Sequence, residues 1–97
     1  MTHVIVGPVA EEDLESIGDY LALNAPQTAL SFLKDMRRAI SRLASFPEAH
    51  PPVPGYEGKG VRYTVNGKYL IFYKVNHDVH VLRVLHSARD YGPLLGM

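Results

Sequence analysis

Residues 61–90, VRYTVNGKYLIFYKVNHDVHVLRVLHSARD, decide the fold, because they read as three consecutive strands that are apolar on both faces. Asn66-Gly67 supplies two residues that tolerate positive φ, so Val61–Val65 and Lys68–Val75 are expected to pair as a hairpin through a type I′ turn. A second tight turn at His77-Asp78 returns Val79–His86 alongside. With these turns Val65 faces Lys68, Tyr63 faces Leu70 and Val61 faces Phe72. Val81, Arg83 and Leu85 join that set. The other face carries Arg62, Thr64, Tyr69, Ile71, Tyr73, His80, Leu82, Val84 and His86. Only one of the two faces can be covered by what precedes it, so the first set is expected to remain an open apolar surface.

Upstream, His3–Val6 is short and β-branched, and Gly7-Pro8 stops it. A helix is expected from Ala10 to about Leu23, with acids in its first turn and Leu14, Ile17 and Leu21 on one face; Gly18 inside it costs about 1 kcal/mol relative to alanine. Asn24-Ala25-Pro26 breaks the chain, and Pro26 suits the first position of a second helix running to Ser45. Its apolar stripe is Phe32, Met36, Ala39, Ile40 and Leu43, and Pro47 ends it. So short a break makes the two helices an antiparallel hairpin. From Pro47 to Gly60 four prolines and three glycines mark a long connector. The order β-α-α-β-β-β predicts an α+β fold with the helical hairpin packed on one face of a largely antiparallel four-stranded sheet.

Composition agrees with one small domain over 1–97: the chain has 97 residues, 46% of them hydrophobic. The absence of cysteine removes disulfides and thiolate zinc sites, so packing must supply the stability. No apolar run approaches membrane length and the first twenty or so residues lack a leader pattern, which predicts a cytoplasmic protein with no membrane partner. Net charge is zero but uneven: residues 1–35 hold six acids and one lysine, whereas 36–97 hold nine bases and four acids. The basic part can attract an acidic partner, although acids at the start of the first helix also follow from its dipole. A polyanion binder would be more basic overall, so direct DNA binding by this chain alone is not expected.

Catalytic and metal constellations are weak. His77, His80 and His86 lack ligand spacing, no carboxylate completes a set, and neither metal nor cofactor is expected. Ser87, His86 and Asp90 are the right types for a triad but lie too close along the chain to converge. Gly58-Lys59-Gly60 lacks the rest of a phosphate loop.

Several pieces together resemble one family. They are the acidic first helix ending Asp19-Tyr20-Leu21, the helix end Arg42-Leu43-Ala44-Ser45-Phe46-Pro47, the strand Tyr69-Leu70-Ile71-Phe72-Tyr73, and the finish Arg83-Val84-Leu85-His86-Ser87-Ala88-Arg89-Asp90. In order and spacing they look like the RelE/ParE superfamily of type II toxin-antitoxin toxins, and the helix end and the finish look more like its ParE branch, the plasmid stabilisation proteins. That resemblance implies a toxin neutralised in a hetero-oligomer by a ParD-like antitoxin and, where the target is known, acting on DNA gyrase. The RelE branch implies instead a ribosome-dependent messenger RNA endonuclease. RNA cleavage needs a base, a cation at the phosphate and a proton donor. Val61, Tyr63 and Leu70 stand where that branch places basic side chains, and only Arg83, Arg89 and Tyr91 are of suitable type. An inactive toxin that only binds its antitoxin is the third alternative.

On the binding reading, Val61, Tyr63, Leu70, Phe72, Val81 and Leu85 form the antitoxin surface, with Arg83, Arg62 and Lys74 pairing with its acids. The tail from Arg89 to Met97, through Arg89, Tyr91, Leu94 and Leu95, is the expected target contact, and no catalytic residue is assigned.

Overall fold

A computed structural model describes residues 2–95. Strand β1 (Val4–Val6) leads into α1 (Pro8–Ala22) and α2 (Pro26–Arg42); β2 (Arg62–Asn66), β3 (Tyr69–Asn76) and β4 (Asp78–His86) follow. Both helices start on proline at the first helical position, where the ring forfeits no hydrogen bond. α1 therefore begins two residues before the expected Ala10. α2 ends at Arg42 rather than Ser45, yet Leu43 just beyond it is still buried. The sheet order is β1-β4-β3-β2, with β1 parallel to β4 and the other pairs antiparallel.

The helical hairpin covers one face. Ala10, Leu14 and Ile17 of α1 and Met36, Ala39 and Ile40 of α2 close over Ile71, Tyr73, Val79, Val81 and Val84. This is the amphipathic match expected from the helical spacing. Phe32 lies with its ring centroid 4.9 Å from that of Tyr69 at the margin of this core.

The turns differ from the expected ones. At the β2–β3 turn Gly67 alone has positive φ (62°), while Asn66 stays in the strand and pairs with Tyr69. A glycine at the first of two central positions is the signature of a II′ turn, not I′. Val65 thus pairs with Leu70 rather than Lys68, a displacement of two residues that leaves every side chain on its expected face. At the β3–β4 turn Asn76 pairs with Asp78, leaving His77 alone at the tip with φ 64°.

The larger correction is a bulge. Phe72 pairs with Arg83 but Tyr73 pairs with Val81, so Leu82 is an extra residue in β4. Before the bulge, Val79 and Val81 face the helices; after it, Val84 does. Val81, expected on the open face, is completely buried in the helix-side core, and Leu82, expected under the helices, packs against the opposite face. His80 pairs with Lys74 on that opposite side. A uniform two-residue alternation cannot place residues on both sides of a bulge.

Candidate functional site

The sheet face away from the helices is not open. Val53, Val61, Phe72 and Leu85 form a second buried cluster there, roofed by two irregular segments of the same chain. The first is the connector. Its backbone pairs with the start of β2, through Val53 N–H to the Val61 carbonyl (2.9 Å) and Tyr63 N–H to the Pro51 carbonyl (3.2 Å). Tyr56 turns back onto Val53 and packs on the cluster. Glu57 accepts the Gly55 N–H at 2.9 Å, a contact that lowers its carboxyl pKa.

The second roof is the tail. Tyr91, Leu94 and Leu95 lie on the cluster, with the Tyr91 ring 5.0 Å from that of Phe72. A 3₁₀ turn at Pro93–Leu95 is closed by Leu95 N–H to the Tyr91 carbonyl, and Gly92 is buried beside Tyr56. A β-carbon at Gly92 would sit 2.6 Å from the Tyr56 hydroxyl, so a larger residue there would have to push the Tyr56 side chain aside.

These facts redistribute the expected site residues. Val61, Phe72 and Leu85 are core; Tyr63 and Leu70 are half-buried at its margin; Lys74 is exposed. Arg62 is committed to the connector, donating to the carbonyls of His50 (2.6 Å) and Glu48 (3.2 Å). Arg83 donates from Nε and Nη2 to the two carboxylate oxygens of Asp13, both at 2.8 Å, and from Nη1 to the Leu94 carbonyl at 3.0 Å. The Asp13 contact raises the guanidinium pKa further above its ordinary value. Of the three expected cations, only Lys74 is left without a bond to the protein's own polar groups among the described residues. In the tail, Arg89 is exposed while Tyr91, Leu94 and Leu95 are half-buried under their own sheet's demand. Gly96 and Met97, part of the expected target contact, lie outside the described residues.

Asp13 escaped sequence reasoning, as did the groove that the two roofs leave between them. Asp13 also accepts the Val84 N–H at 2.9 Å, filling the edge of β4 where β1 has ended. The groove, about 530 Å³, is lined by Val9, Val61, Leu82, Leu94 and Leu95 together with Lys59, Lys74 and Arg83. Tyr91, Leu94 and Leu95 in the tail have no sustained helical or strand spacing, so no periodic signal in the sequence marks the groove.

The histidines serve local structure: His86 Nδ1 accepts the Ala88 N–H at 3.0 Å and its ring meets Tyr69 edge-on, while the His80 Nε2 lies 3.2 Å from the Asn76 carbonyl. Among the described residues no group of three or more His, Cys, Asp or Glu side chains is placed to hold a metal ion. No described helix is long and apolar enough to cross a membrane.

These elements define a small α+β domain in which a helical hairpin and two self-packed straps cover opposite faces of one mixed sheet. The family model for the ParE toxin of type II toxin-antitoxin systems, parDE, matches residues 4–91, and the chain belongs to this family. A solved chain described as "Chromosomal ParDE TA system from P. aeruginosa" shares the fold, with a TM-score of 0.77 at 21% identity over 89% of this chain and 96% of that one. No curated protein matches by sequence.

Proposed function

We propose that this ParE-family toxin is held inactive in a hetero-oligomer by a ParD-like antitoxin and, when free, arrests growth by binding DNA gyrase in the cytoplasm. Family membership over residues 4–91 supports the toxin-antitoxin setting, and the similar solved chain comes from a ParDE system. The single observation favouring binding over chemistry is Arg83. It is the one cation that the sequence places on the sheet where an RNA-cleaving site would need it, and its charge is already met by both oxygens of Asp13. A guanidinium so paired has little left to offer a scissile phosphate.

The test is a supercoiling assay with purified gyrase, run beside mapping of messenger RNA on translating ribosomes. Inhibition of supercoiling with intact message supports the reading. Position-specific cuts in ribosome-bound message that vanish in Arg83→Ala would replace it with the nuclease reading. Healthy growth at high soluble expression without the antitoxin, by a chain that still binds the antitoxin when it is added, would identify an inactive toxin.

A further inference from the structure

We propose that the outer face of the helical hairpin, the side turned away from the sheet, is the contact surface for a second copy of this chain, giving a reversible two-fold dimer. A groove of about 400 Å³ runs along this face between α1 and α2, with Glu15 and Asp19 on its α1 side and Leu30 and Leu33 on its α2 side. Leu30 is 58% exposed and Leu33 is half-buried, so the hairpin leaves leucine surface uncovered. At about 100° per residue, Glu12, Glu15 and Asp19 share the outward face of α1, away from the buried Leu14. Leu30, Lys34 and Arg38 share that of α2, away from the buried Met36.

Charge identifies the occupant. Glu12, Glu15 and Lys34 are exposed and form no ion pair among the described residues, and Arg38 has only an exposed 3.6 Å contact with Asp35 one turn back. One helix of the face is therefore acidic and the other basic. An acidic partner would be repelled by α1 and a basic one by α2, whereas a second copy satisfies both helices. A two-fold axis parallel to the helices, along the groove, lays α1 of each copy over α2 of the other. Such an axis keeps each residue at its own height, so the heights decide which charges meet. Glu11 pairs with Arg37 at 2.8 Å and Gly18 lies against Leu33, which fixes the antiparallel register of the hairpin. In that register Glu15 stands level with Lys34, and Glu12 with Arg38. The same operation brings Leu30 and Leu33 of the two copies together over the groove, with a row of ionic contacts on each side.

Two helices side by side, about 22 and 25 Å long and each about 10 Å across, offer a face at the small end of stable interfaces, so the dimer is expected to exchange with monomer. The sheet and both straps lie beyond the helices and stay free. Dimerisation therefore does not depend on the function proposed above.

In sedimentation velocity the full chain is expected to shift from monomer to dimer as its concentration rises from about 1 μM to about 1 mM. Glu15→Lys and Lys34→Glu each set like charges opposite one another at both symmetric contacts, and each should weaken the dimer about tenfold or more. Both positions are exposed, so the fold tolerates either change. Mixing the two single variants is the decisive measurement. Their heterodimer has opposite charges at both contacts, so the mixture should recover the dimer that neither variant forms well alone. A monomer throughout the range, a dimer indifferent to both charge reversals, an assembly that grows past two copies, or a mixture no tighter than its components would overturn the proposal.

Discussion

Arg83 in β4 and Asp13 in α1, 70 residues apart in sequence, meet as a two-pronged ion pair with both bonds at 2.8 Å. Their side chains are only 18% and 12% exposed, so solvent screens the pair weakly. Removing one partner strands the other charge in a mostly dry setting. Asp13→Ala is expected to lower stability by about 3 kcal/mol, part of it from the Val84 N–H it leaves unpaired. Urea unfolding measures this. Adding Arg83→Met to Asp13→Ala should recover part of the loss; a double variant whose loss equals the sum of the singles would show that the pair is not the source.

Ile71 and Phe72 are neighbours in β3, point to opposite faces, and are both fully buried. Each alanine substitution leaves a cavity, under the helices in one case and under the straps in the other. Both are expected to cost about 2–5 kcal/mol in the free protein. Val65→Asp, at a position 59% exposed on the Phe72 side of the sheet, should change stability by no more than about 0.5 kcal/mol. Thermal unfolding decides: a stable Phe72→Ala would mean that the straps do not form a second core. By the same measure Leu70→Asp, at the half-buried margin, should be milder than Phe72→Ala.

Tyr73 donates its hydroxyl to the Pro47 carbonyl at 2.7 Å, tying the segment after α2 to the sheet. Burial raises the phenol pKa above its ordinary 10.0, opposed in part by Arg62. A raised acid binds its proton more tightly when folded than when unfolded. Its contribution is therefore complete below pH 10 or so and is lost as pH rises through the folded value. Stability should fall on the alkaline side, and Tyr73→Phe should flatten that fall while costing about 1 kcal/mol at neutral pH. An unchanged alkaline limb in Tyr73→Phe would point to other groups.

Gly18 is buried inside α1, and a β-carbon there would lie 3.5 Å from a Leu33 methyl, ordinary van der Waals contact. Gly18→Ala should thus raise stability by up to about 1 kcal/mol through helix propensity alone. A lower melting temperature would show that α1 and α2 are packed too closely to admit the methyl.

Much of this architecture is legible in the chain. The helical stripes of Leu14, Ile17, Met36, Ile40 and Leu43, the breaks at Asn24–Pro26 and Asn66-Gly67, and the three final strands all carry their own local signals. The bulge does not, because an extra residue leaves the alternation of β4 looking regular on each side of Leu82, and only the pairing reveals which half belongs to which face. Nor does the roof over Phe72 and Leu85. Tyr91, Leu94 and Leu95 have no helical or strand period, so their inward role follows only from where the chain returns. The internal acceptors of Arg83 and Arg62 are hidden in the sequence for the same reason.

By taking the Val84 N–H, the carboxylate of Asp13 does the work of a missing strand beyond the end of β1. At that point of β4 the backbone donor is therefore already taken. At the opposite margin the connector pairs only with the start of β2, as far as Tyr63, and the half carrying the exposed Val65 stays bare. The sheet therefore keeps two short open edges, the outer side of β1 and this stretch of β2, and a lysine at Val65 would guard the second.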